Sequence, residues 1–229
     1  MGALTPIISK AVASGAPEDS AQGFTAPSPQ LLTQDPTMQD QTLMDEFTYL
    51  SVLIGLILGL GITQLMEGIG RLAHHREKID WYWPLKLWIG TLLILHIQAW
   101  WAMYELRHIP HWTFISFLVV LIQPMLLFLL SALALPDAKE QAPSDLRKDF
   151  NDHALFTFRI STLMVLSSLL KEYWLYHRLP HADNLLFHGA FILIFLAGSF
   201  KKSERCFQWV ILGSSSLLML YILRLFMSL

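Results

Sequence analysis

The sequence is short of what soluble enzymes and nucleic-acid binders are built from. Cys206 is its one cysteine, which excludes an intrachain disulfide and leaves the redox compartment unreadable. Charged residues make up 15% of the 229 positions, against about a quarter in ordinary soluble domains. Lys and Arg never gather into a block and the net charge is −2, so the basic footprint of a nucleic-acid protein is missing. No GxSxG, HExxH or P-loop occurs, and the glycines of GLGITQLMEGIG lie inside an apolar run rather than after a strand. These lacks point away from an enzyme, and no pattern requires a cofactor.

What is present is apolar surface. The chain is 54% hydrophobic with mean hydropathy +0.45, and its eight Trp and six Tyr suit the amphipathic belts of a membrane interface. FTYLSVLIGLILGLGITQLMEGIGRL (Phe47–Leu72) is free of charge as far as Met66, long enough to cross a bilayer core of roughly 30 Å as a helix. Gly55 and Gly59 form a GxxxG pair, followed at the same spacing by Thr63 and Glu67. That face admits a neighbouring backbone and ends in a carboxylate that needs a partner. The other helices are therefore expected to be arranged around this one. The face would be buried internally or used for self-association.

Residues 1–44 are rich in Ala, Ser, Pro, Thr and Gln, bury too little apolar surface to offset their ordering entropy, and read as a disordered tail. They lack the basic start and apolar run of a signal peptide, and Met38 and Met44 stand close ahead of the first span as alternative starts. Five further spans follow at about 85–105, 112–135, 150–176, 184–200 and 206–227. The fold class is thus all-α: a polytopic bundle of six transmembrane helices in residues 45–229. FTYLSVLIGLILGL and FTFRISTLMVLSSL begin alike, which raises the alternative of an inverted three-plus-three repeat. The first, third and fifth loops with their flanks hold ten Lys and Arg against five on the opposite side. The positive-inside rule then places both termini outside the cytoplasm of a bacterial inner membrane.

Depth estimated from a rise of roughly 1.5 Å per residue sorts the intramembrane polar residues into three layers. Glu105, His188 and Arg224, with Lys171 and Glu172, fall on the outer side. His96, Gln123 and Ser215 fall near the midplane, where Pro124 also frees a carbonyl. Glu67 and Arg159 fall on the inner side, at depths that would let them pair. Gln98 and Glu105 share one face of the second span while His96 lies on another, more polarity than a lipid-facing helix should carry. Polar groups in hydrocarbon face the bundle interior, and two readings fit them. They line a site that binds or passes a small solute or ion, or they hold helices together in a structural or accessory subunit of a larger complex. A third reading is a haem between His96 and His188, or a metal held by His108, His111, His177 and His181. The expected partners are the bilayer and either a second copy or a larger membrane complex.

Overall fold

A computed structural model describes residues 36–74, 82–109, 111–135, 145–200 and 203–227, with backbone alone for 36–45 and 225–227. The described residues are helical, without strand. The six helices are α1 (Pro36–His74), α2 (Trp83–Met103), α3 (Phe114–Leu133), α4 (Leu146–Tyr176), α5 (Ala182–Phe200) and α6 (Glu204–Met227), and a 3-10 turn, Tyr104–His108, extends α2. All six contain a stretch long and apolar enough to cross a membrane.

Local chemistry explains the ends. Pro36 opens α1 with the φ a first helical turn requires, so residues 36–44, expected to belong to the tail, are helical. Residues 1–35 of the expected tail lie outside the described residues. Pro84 plays the same part in α2. The Thr113 hydroxyl accepts the Ser116 N–H at 3.1 Å to cap α3. Asp145 accepts the N–H groups of Arg147 and Lys148 at 3.0 and 3.1 Å; this cap starts α4 four residues ahead of the expected 150. His177 ends α4 in the left-handed region, at φ 48°.

Five of the helices close on themselves. α2 packs on α3, α3 on α4, α4 on α5, α5 on α6 and α6 back on α2. The expectation that the bundle would be organised around α1 is therefore corrected: α1 lies outside this ring, against α2 and α3. Its buried face is Leu50, Ile54, Leu58, Gly61, Leu65, Gly68 and Leu72, a heptad-like spacing that keeps one stripe on a neighbouring helix. The close approaches are made at Gly61 and Gly68, where an added Cβ would lie 2.2 Å from His96 Nε2 and 2.3 Å from Leu135 Cδ1. A Cβ added at Gly55 or Gly59 would meet no atom among the described residues within 4 Å, so their face is not the packing surface toward the described helices. The Thr63 hydroxyl above them donates to the Gly59 carbonyl of its own helix at 2.9 Å. The two halves also pack unlike each other, since α1 runs along α3 whereas α4 meets α6 only slightly.

One end of the ring is filled with aromatic rings. Trp88 (α2), Phe158 (α4), Phe195 (α5) and Phe207 (α6) are almost fully buried. Trp88 meets Phe158 and Phe195 edge-on at 6.3 Å, and Phe158 lies 5.6 Å from Phe207. Such edge and tilted pairs add to the burial of the rings themselves. Gly198 lets α5 come down on Phe158, whose Cδ2 would lie 2.7 Å from an added Cβ. Beyond this plug Arg147 of α4 pairs with Glu204 of α6, and the Gln208 amide reaches the Tyr82 hydroxyl. Burial pushes the Tyr82 phenol above its ordinary value, so it stays a neutral hydroxyl throughout the neutral range.

Large apolar side chains are exposed on every helix, including Val52, Ile97, Leu118, Leu163, Leu193 and Trp209. The α5 span has mean hydropathy 1.5 with only 17% of its window buried, which is far more exposed apolar surface than water tolerates in a monomer. Six such helices support a multi-pass membrane protein.

Candidate functional site

The other end of the ring is hollow. A cavity of about 450 Å³ lies among α2, α3, α4, α5 and α6, within the range of small-molecule sites. Its floor is Thr91, Leu95, Met164, Val165, Phe191, Phe195, Ser214 and Leu218. Phe195 belongs to both floor and plug, so the cavity is blind at the plugged end. The two floor hydroxyls are already engaged: Thr91 donates to the Leu87 carbonyl at 2.8 Å and Ser214 to the Ile211 carbonyl at 3.1 Å. The floor is therefore apolar in effect. Above it runs a polar collar of Gln98, Gln123, Ser168, Lys171 and His188, and the mouth carries Glu105, Glu172, Tyr176, Arg178, Asn184 and Tyr221.

Helix direction explains the collar. Side chains lean toward the N-terminus of their own helix, and α3 and α4 run in opposite directions along the cavity wall. Lys171 lies five residues from the mouth end of α4 and Gln123 nine from that of α3, roughly 7.5 and 13.5 Å along the two axes. The lysine arm reaches inward and the amide outward, and Lys171 Nζ donates to Gln123 Oε1 at 2.8 Å. His188 Nδ1 lies 2.7 Å from the Asn184 carbonyl, which only accepts, so that nitrogen carries the proton. Nε2 is then left to accept from the Ser168 hydroxyl at 3.3 Å.

The layers read from the sequence divide differently in three dimensions. Gln98, Glu105, Gln123 and His188 do line one cavity. His96 does not: it is wholly buried on the far face of α2, over Gly61, with Nδ1 on the Leu92 carbonyl at 2.8 Å and Nε2 3.4 Å from Ser131 Oγ. It fastens α1, α2 and α3 together. Ser215 is likewise turned out of the cavity, to Thr91 Oγ1 at 2.7 Å, and ties α6 to α2. The midplane layer of His96, Gln123 and Ser215 is thus three separate contacts.

Arg224 pairs with Asp183 and links α6 to α5 beside the mouth rather than within it. The expected Glu67–Arg159 pair is absent. Glu67 pairs with Arg71 one turn along α1 at 3.2 Å, and Arg159 is exposed on α4. Equal depth did not bring them together, because α3 intervenes between α1 and α4.

His96 and His188 address Ser131 and Ser168 on different sides of the bundle, so they do not offer paired axial ligands. His108 accepts from Arg107 Nε at 2.9 Å, while His111, His177 and His181 are exposed. Among the described residues no three His, Cys, Asp or Glu side chains come together as a metal site.

Sequence reading placed Lys171 in the outer layer but missed its contact with Gln123, because its depth was taken from the backbone. The stripe Met164, Ser168, Lys171 and Glu172 at three- and four-residue spacing was the available signal. Among the described residues, fold and site together define six helices with the dimensions of a multi-pass membrane protein and a blind polar-collared cavity. No protein-family model, curated protein or solved structure matches the chain.

Proposed function

We propose that this chain is a cell-membrane protein that binds a small solute in the cavity of the α2–α6 ring, without catalysing a reaction on it. The observation that carries the reading is the blind cavity itself: five helices converge polar groups on one hollow and seal its far end with Trp88, Phe158, Phe195 and Phe207. A plug of that kind favours binding over open conduction. The distribution of Lys and Arg puts the plugged end toward the cytoplasm and the mouth, with both termini, on the opposite face.

The test is a cysteine introduced at Gln98 in a Cys206→Ser background, treated with a membrane-impermeant thiol reagent from each side of sealed vesicles. Labelling from the mouth side alone supports the cup. Labelling from both sides would replace it by a pore, and labelling from neither would remove the site.

A second reading, a structural subunit that joins another copy, is favoured by one observation. A Cβ added at Gly55 or Gly59 of α1 would meet no neighbour among the described residues. The particle mass of the purified protein, compared with that of Gly55→Leu, decides it: a halved mass in the variant supports a dimer through α1, and an unchanged mass removes it.

A further inference from the structure

We infer that the occupant of the cup is a small organic anion, a single carboxylate on an apolar body, with Lys171 as the anchor of its head. The inference rests on the cup reading and concerns what the cup selects. Lys171 carries three donors, and its one hydrogen bond among the described residues goes to a neutral amide, Gln123 Oε1, at 2.8 Å. It forms no ion pair among the described residues. The ammonium is also drawn inward, although a lysine near the end of a span usually extends its charge to the interface. A cation in that position with two donors unspent is complementary to an anion arriving through the cavity.

The rest of the collar sets the charge of that anion. His188 has both nitrogens committed, to Asn184 and Ser168, which leaves the Gln98 amide and the NH2 of Gln123, whose oxygen accepts from Lys171, as the other donors of the collar. One ammonium and two neutral amides match a monovalent carboxylate better than a phosphate dianion. Below the collar the hydroxyls donate to their own helices, so the floor offers no free O–H donor to an anion and, lined mainly by Leu95, Met164, Val165, Phe191, Phe195 and Leu218, suits a hydrocarbon or aromatic body. Glu105, Glu172 and Arg178 stand nearer the mouth; Glu172, the next residue along α4, acts on Lys171 through space but forms no ion pair with it among the described residues.

The experiment uses the full chain in nanodiscs with three probes of one body and three heads: 3-phenylpropionate, 3-phenylpropanol and 3-phenylpropylamine. Calorimetric titration of the wild type is expected to show the acid bound about 10- to 100-fold tighter than the alcohol, the worth of a charge-assisted hydrogen bond. Lys171→Met should bring the acid down to the alcohol while leaving alcohol binding intact, and Lys171→Arg should keep most of the preference. Equal binding of all three heads, or a preference that survives Lys171→Met, would overturn the anion inference and leave the cup standing. Binding of none of the three would instead sink the cup. Oleate placed in the nanodisc separates the sources of the same chemistry. Displacement of phenylpropionate by oleate assigns the head to a bilayer fatty acid, and undisturbed binding assigns it to a water-borne acid.

Discussion

The two ends of the ring use the same five helices to opposite effect. At the plugged end large aromatic side chains meet from four of them and exclude solvent: Trp88 and Phe158 are 0% exposed. At the mouth end the same helices present Gln98, Ser168, Lys171 and His188, and the space between them stays open. Side-chain size and polarity distinguish the two, together with the close approach of α5 at Gly198. A bundle becomes a receptacle where its inward residues are too short or too polar to meet across the centre.

Trp88→Ala should have the largest effect, because it opens a void where four helices converge. We expect a loss of about 3–5 kcal/mol, read as a lowered unfolding midpoint in detergent. The comparison fails if the plug proves indifferent to losing its central ring. Gly61→Val comes next, costing about 1–3 kcal/mol by overpacking His96. Disulfide crosslinking between cysteines placed on α1 and α3 should fall in that variant, while solute binding in the ring persists; Gly55→Val should change neither.

Ser131→Ala should cost about 0.5–1.5 kcal/mol, because it leaves His96 Nε2 buried without its 3.4 Å neighbour. Smallest is Arg224→Ala, whose ion pair with Asp183 is more than half exposed and worth at most about 1 kcal/mol. A larger loss there, followed by chemical denaturation, would show that the mouth is held by its rim rather than by the plug beneath.

Much of this was legible in the residues. Five of the six helices lie within a few positions of their expected bounds, because length and hydropathy alone specify such a helix, while α1 begins eleven residues ahead of the expected 47. The packing of α1 was legible too: Leu50, Ile54, Leu58, Gly61, Leu65, Gly68 and Leu72 recur at heptad spacing. The GxxxG pair drew attention to the neighbouring face instead, although a small-residue pair shows only that a close approach is allowed. The polar layers failed for a different reason. Depth along a helix says nothing about the direction a side chain faces, so Glu67 and Arg159 were matched across an intervening helix. His96 was likewise grouped with Gln123, although His96 of α2 packs over Gly61 of α1 and Gln123 of α3 lines the cavity. The Lys171–Gln123 contact was hidden because a lysine arm spans the axial offset between their backbones.

The shared use of Phe195 as floor and plug fixes how such a receptacle would work over time. If the proposed cup holds, an occupant finds the plugged end closed by Phe195, so its departure would retrace its arrival through the mouth. Dwell time, rather than throughput, is then the quantity that mutations in the collar would tune.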